Sequence, residues 1–195
     1  MPGPALNKHL TKKIKIKGIK YLHYIKKGDI IILQRREGRA RNRMAKAIYF
    51  DMDGTFVDFY GVDGWLDYLN QNDATPYIIA KPLVNMSAFA RQVKRLQRAG
   101  YTVGIVSWCS KNSNSVFDEM VEVAKKDWLM RHCPSIEWDE IKIVPYGVSK
   151  HNVVKYSDGF LFDDEQKNRL EWDLASTDGF AFDVVDMIEI LRRMK

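Results

Sequence analysis

A short apolar run that ends on an acid constrains this chain more than anything else in it. Residues 47–50 read AIYF, and Asp51, Met52, Asp53, Gly54 and Thr55 follow directly. An apolar run bounded by a glycine turn reads as a strand buried on both faces of a parallel sheet. Open α/β sheets place their chemistry just beyond the carboxyl ends of the strands. Asp51 and Asp53 therefore fall where such a fold works. Side chains alternate along a strand, so carboxylates two positions apart can share a side. Gly54 marks where the strand gives way to a turn, which frees Asp53 to face the same pocket. Two close carboxylates repel, and one holds a proton unless a cation lies between them. Mg²⁺ suits such a pair, because it takes oxygen ligands and keeps waters and substrate phosphates in its shell.

The same logic repeats twice further along. Residues 101–106 (YTVGIV) form a second apolar, β-branched run that ends in Ser107, a hydroxyl able to donate to a phosphate oxygen. Residues 159–162 form a third, ending in Asp163 and Asp164. Short strands are expected at 140–144 and 180–184. Lys150 is a candidate cation for the pocket, with Lys155 as the alternative. Trp108 and Cys109 read as core or pocket wall, and Cys109 has no base partner that would make it a nucleophile.

Between these runs, helical spacing predicts a helix over 85–99, with Met86, Phe89, Val93 and Leu96 inward and Gly100 as its stop. A second is predicted over 114–131, with Val116, Met120, Val123, Ala124 and Trp128 inward. A third closes the chain over 186–193, with Met187, Ile190 and Leu191 inward. Residues 55–70 read as a turn and a short helix. Residues 72–83, with Pro76 and Pro82, read as loop. The whole is an α/β doubly wound parallel sheet.

Charge divides the chain. Residues 1–44 carry 13 Lys+Arg against 2 Asp+Glu, a surplus of +11, whereas residues 45–195 carry 18 against 23, or −5. The expected organisation is therefore a basic extension over 1–44, holding a small β-hairpin, and a catalytic domain over 45–195. Met44 is an alternative start. A basic arm of this kind suits nucleic acid or another polyanion, with Tyr21 or Tyr24 stacking on bases, although charge runs are also simply solvated. No apolar run is long enough to span a membrane and no export signal is seen, which makes cytoplasm the expectation. Cys109 and Cys133 form no disulfide framework, and His9, His23, His132 and His151 lack zinc-ligand spacing. Neither a phosphate-binding loop of the GxxxxGK type nor a dinucleotide fingerprint is present.

Taken together, the strand ends resemble the haloacid dehalogenase-like (HAD) hydrolase superfamily over residues 46–195. DMDGT at 51–55 resembles its first motif, Ser107 the second, Lys150 the third and LFDD at 161–164 the fourth. The spacing of Lys150, Val153-Val154, Asp158 and LFDD is similar to the 5′(3′)-deoxyribonucleotidase branch. The helical cap of that branch has room here only for a small flap over 56–83, with one or two short helices. This departure bears on the nucleotide substrate.

The resemblance implies a Mg²⁺-dependent phosphomonoesterase working through an aspartyl-phosphate. Asp51 would be the nucleophile, and Asp53 the general acid and then the base. Ser107 and Lys150 would hold the phosphoryl oxygens, with Trp108 beside them at the substrate. Asp51, the Asp53 carbonyl, Asp164 and Asp163 would supply the magnesium site. The substrate would be a phosphorylated small molecule, with a 5′-nucleotide as one case. Trp65, Tyr68, Tyr77 and Lys81 of the flap are candidate substrate contacts. Two other functions compete: a polynucleotide end phosphatase that uses the basic arm, and a non-catalytic binding protein that keeps the fold.

Overall fold

The computed structural model describes residues 46–195. The basic extension expected over 1–44, its hairpin and its boundary with the body lie outside the described residues.

Strand β1 (Ala47–Phe50) is buried along its whole length, as the unbroken apolar run predicts. It pairs in parallel with β4 (Thr102–Trp108) on one side and β6 (Phe160–Phe162) on the other. Strand β5 (Glu140–Val144) extends the sheet beyond β4, and β7 (Phe180–Phe182) extends it beyond β6. The order is β5-β4-β1-β6-β7, all parallel. The chain steps from β1 out to β4 and β5, then returns to start β6 on the opposite flank. The direction of winding therefore reverses between β1 and β6, the crevice where such sheets bind ligands.

Both faces of the sheet are covered. Ile48 and Phe50 point to a core built with Phe89, Val93 and Leu96 of α3 (Met86–Arg98), Trp128 and Leu129 of α4 (Ser115–His132), and Leu191 of α7 (Met187–Arg193). Ala47, Tyr49 and Leu161 point the other way and pack on Trp172 of α6 (Gln166–Ala175). Gly104 is required by this packing, since a Cβ there would come within 2.6 Å of the Tyr49 ring. Asn85 caps α3 by accepting from the Ala88 amide, and Asn114 caps α4 by accepting from the Phe117 amide, each at 2.9 Å.

Between β1 and α3 lies the small flap. Strand β2 (Val57–Asp58) pairs antiparallel with β3 (Lys81–Pro82), and α1 (Trp65–Asn70) and α2 (Thr75–Ile79) lie between them. Helix α2 corrects the loop expected over 72–83. Pro76 falls in its first turn, where a missing N–H breaks no helical bond. The flap is anchored to α4: Tyr77 joins the cluster of Phe117, Val121 and Ala124, and the Trp128 indole donates to the Ala80 carbonyl at 2.8 Å.

Two further corrections concern placement. Strand β4 continues through Trp108, so Ser107 lies within the strand rather than just after it. In α4 the inward face is Phe117, Val121, Ala124, Lys125, Trp128 and Leu129. The expected Ala124 and Trp128 are buried, but Val116, Met120 and Val123 are 67%, 48% and 59% exposed, so that part of the face was read about one residue out of phase.

Candidate active site

Adjoining strand ends bring the carboxylates together. Asp51 follows β1 and donates its amide to the Phe162 carbonyl at 2.9 Å; Asp163 and Asp164 follow β6. Beyond Asp51 the chain folds tightly on itself. The Met52 carbonyl accepts from the amides of Thr55, Phe56 and Val57, and Gly54 takes a left-handed φ of +72°. That turn swings Asp53 back over the strand end. The Asp163-Asp164 turn is held from outside by Arg169, whose guanidinium donates to both carbonyls, at 2.7 and 2.6 Å.

Lys150 opens the short helix α5 (Lys150–Val153) and is buried. Its ammonium lies 2.9 Å from Asp51 Oδ1, 2.7 Å from Asp163 Oδ2 and 5.0 Å from the centre of the Trp108 ring. Burial opposes its charge, but Asp51 and Asp163 outweigh burial and raise its pKa. The alternative, Lys155, is exposed and rests on the Tyr156 ring. The indole N–H of Trp108 is taken by the Val148 carbonyl at 2.7 Å, so the ring packs against Lys150 with no donor to offer.

The two acids of the third run have separate surroundings. Asp163 is fully buried. Its oxygens accept from Lys150, from the Glu165 amide at 2.9 Å and from the Asn168 side chain at 3.2 Å. Asp164 is partly exposed beside Asp51. Burial and the neighbouring Asp51 push Asp163 up to about 6, and burial, Asp51 and Asp163 push Asp164 up to about 7. One oxygen each of Asp51, Asp163 and Asp164 can lie within 4.8 Å of the others. An all-carboxylate set with too few internal cations fits a hard divalent ion such as Mg²⁺. Gly54 keeps this space open, because a Cβ there would overlap Asp164 Oδ2. Asp164 is less engaged than Asp163, which already accepts from Lys150, the Glu165 amide and Asn168.

Asp53 is paired differently, and its partner was missed in the sequence. Lys125, on the inward face of α4, is 1% exposed. Its ammonium lies 2.6 Å from Asp53 Oδ2, 2.8 Å from Ser107 Oγ and 2.7 Å from the Trp108 carbonyl. The Tyr77 ring lies under it at 5.1 Å. Burial raises the pKa of Asp53, with Asp51 adding to it; Lys125 opposes the rise without cancelling it. Asp53 Oδ1 is buried with no hydrogen-bond partner among the described residues. A lysine at an inward helical position was the available signal, hidden by the misplaced helix phase.

Of the flap candidates, Tyr77 is buried and stacks on Phe59 with ring centres 4.5 Å apart. Trp65 is half-buried against Phe59 and Tyr60, and Lys81 is exposed on β3. Tyr60, which the sequence did not single out, reaches across Gly54 toward the carboxylates. Burial together with Asp53, Asp164 and Asp51 raises its hydroxyl pKa. Cys109 is a buried thiol pushed up to about 12 by burial and by Asp118, which leaves little thiolate. A cleft of about 300 Å³ beside α7, lined by Val84, Val184, Asp186 and Met187, contains none of these groups.

The fold is the doubly wound α/β arrangement implied by the resemblance to HAD-like hydrolases, with the four motifs converging at its strand ends. No family model matches the chain, and no curated protein matches its sequence. Among solved structures, it is similar to the crystal structure of D,D-heptose 1,7-bisphosphate phosphatase from Burkholderia Thailandensis. That match has 12% identity and a TM-score of 0.47, and covers 76% of this chain and 99% of the other. No helix of the described residues is long and apolar enough to cross a membrane.

Proposed function

We propose that this chain is a Mg²⁺-dependent phosphomonoesterase that passes the phosphoryl group through Asp51. The observation that carries the reading is the unequal treatment of two carboxylates two residues apart. Asp51 is paired with the Lys150 ammonium at 2.9 Å, which favours a charged nucleophile. Asp53 keeps a raised pKa because burial outweighs Lys125 at 2.6 Å, and one of its oxygens has no partner among the described residues, which favours a proton carrier. A carboxyl that holds its proton, beside one that contacts a lysine with an N–H to spare, supports the roles of acid and nucleophile.

In this mechanism an Asp51 oxygen attacks phosphorus, and the bond from phosphorus to the ester oxygen breaks. The departing electron pair stays on that oxygen, which takes the proton from Asp53. Water then attacks the aspartyl-phosphate and gives a proton back to Asp53, and the electron pair of the broken P–O bond returns to Asp51. Lys150 has contacts to two carboxylates and a third N–H to offer a phosphoryl oxygen, and Ser107 offers its hydroxyl. Mg²⁺, held by Asp51 and Asp164 with Asp163 and the Asp53 carbonyl in support, would neutralise phosphoryl charge as the carboxylate approaches.

The substrate class is a phosphorylated small molecule. The likeness of residues 150–164 to the deoxyribonucleotidase branch supports a 5′-nucleotide. The +11 surplus of residues 1–44 supports a second substrate reading, a polynucleotide end. The test is hydrolysis of p-nitrophenyl phosphate, nucleoside monophosphates and end-phosphorylated oligonucleotides, with and without Mg²⁺, by wild type and Asp51→Asn. Turnover that needs both Mg²⁺ and Asp51 is expected. Absence of turnover on every substrate would leave the fold as a binding protein and overturn the reading.

A further inference from the structure

We propose that Lys125 is a positioning residue that fixes the orientation of both the Asp53 carboxyl and the Ser107 hydroxyl, so that each presents its working atom to the substrate; this rests on the phosphomonoesterase reading above.

The argument begins with donor count. A lysine ammonium has three N–H donors and accepts nothing. All three of Lys125's are matched, by Asp53 Oδ2, Ser107 Oγ and the Trp108 carbonyl, at 2.6, 2.8 and 2.7 Å. It therefore has none left for a phosphoryl oxygen, unlike Lys150, and acts through the two side chains that it holds. Those two lie 72 and 18 residues away in sequence, on separate strand ends. One side chain from α4 thus ties the acid to the phosphate-binding hydroxyl.

Consider first Ser107. Because Lys125 can only donate, Ser107 Oγ must accept from it. The hydroxyl proton is then free to point away from Lys125. A serine next to a neutral acceptor could instead turn its proton inward. For Asp53, Lys125 engages Oδ2, and Oδ1 is the buried oxygen with no partner among the described residues. Holding one oxygen selects the other as the one that faces the ester. The stem of Lys125 is fixed by burial and by the Tyr77 ring at 5.1 Å, so the cation has little room to move.

A lysine that only props up the fold would predict something different when it is lost. Its removal would lower turnover equally for every substrate. A positioning role predicts a loss that grows with the need for a proton. Phenyl phosphate releases a much more basic oxygen than p-nitrophenyl phosphate, with nearly the same shape. General acid catalysis is worth about 10²–10⁴-fold where the leaving group needs it. Lys125→Met is therefore expected to lower kcat for phenyl phosphate at least about tenfold more than for p-nitrophenyl phosphate. Lys125→Arg keeps the charge but moves the donors, and is expected to show the same leaving-group bias in smaller measure. In an Asp53→Asn background, Lys125→Met should add no further bias.

Circular dichroism on each variant checks that it is folded. If Lys125→Met does not fold, Lys125→Arg supplies the same comparison. Equal losses on the two esters, or a bias that persists without Asp53, would overturn the positioning role while leaving Asp51-dependent hydrolysis by the wild type intact. Wild type that hydrolyses neither ester, nor any of the nucleotides and oligonucleotide ends above, would overturn the phosphatase reading and this inference with it.

Discussion

Lys150 Nζ lies 2.7 Å from Asp163 Oδ2, with both side chains withdrawn from water. Asp163 in turn is secured by Asn168 and the Glu165 amide, so it acts as a fixed seat for the lysine. Removing one partner of a buried ion pair leaves an uncompensated charge and costs about 3–5 kcal/mol. Lys150→Met is expected to lower stability by about that amount at neutral pH. Urea denaturation monitored by tryptophan fluorescence measures it. An unchanged midpoint would mean that the pair contributes nothing to the fold. On the proposed mechanism, in which Lys150 donates to the transferring group, the same variant should lose about 10²–10³-fold in kcat.

Gly54 and Gly147 offer a matched comparison. Both have left-handed φ angles, +72° and +84°. A side chain in that region costs roughly 1–2 kcal/mol at either site. Only at Gly54 would the new Cβ overlap Asp164 Oδ2; at Gly147 nothing lies within 4 Å. Gly147→Ala is therefore expected to show the backbone cost alone, and Gly54→Ala to lose at least as much stability. Gly54→Ala alone should also need about 10–100-fold more Mg²⁺ for half-maximal turnover, the usual scale for disturbing a ligand's support. A magnesium titration of both variants decides it, and equal magnesium dependence would count against Asp164 as a ligand.

The phase of α4 can be tested as directly. Phe117 is 1% exposed and sits among Val121, Ala124 and the flap's Tyr77, whereas Val116 next to it is 67% exposed. Phe117→Ala should cost about 3–5 kcal/mol, as large core truncations do. Val116→Ala should stay within about 0.5 kcal/mol of wild type. Thermal melts of the pair give the answer, and comparable losses would mean that the outer face is also buried.

What could be read in advance follows from how local each signal is. A strand buried on both faces must be apolar throughout, so β1 and β4 announced themselves, and the polar residue that ended or closed each run named Asp51, Ser107 and Asp163. Helix α3 was legible because Phe89, Val93 and Leu96 fall on one stripe and arginines on the others. Helix α4 was legible in its extent and in Ala124 and Trp128, but not in the rest of its face, because Val116, Met120 and Val123 face outward while a lysine faces in. The pairing of Lys125 with Asp53 spans 72 residues and no local pattern carries it. The division of labour between Asp163 and Asp164 was equally hidden, since adjacent residues differ only in what the fold packs around them.

The acidic cluster predicts how stability, pH and magnesium interact. In the metal-free chain, burial and Asp51 push Asp163 up to about 6 and Asp164 up to about 7. An unfolded aspartate titrates at about 3.9, so the folded chain binds these protons more tightly. The stabilisation from that proton binding is complete below about pH 4 and is lost as pH rises through 6 to 7. In chelator, therefore, the cluster should lower Tm steadily between about pH 4.5 and pH 7.5, and Asp164→Asn should flatten that slope. Mg²⁺ requires the deprotonated carboxylates, so its binding releases protons and strengthens as they ionise. Added Mg²⁺ should raise Tm clearly at about pH 8 and hardly at all at about pH 5, with the difference diminished in Asp164→Asn. Calorimetric scans at the two pH values, with chelator and with Mg²⁺, supply the comparison. A magnesium shift of equal size at both would place the ion away from these carboxylates, since only groups that titrate in this window can impose the dependence.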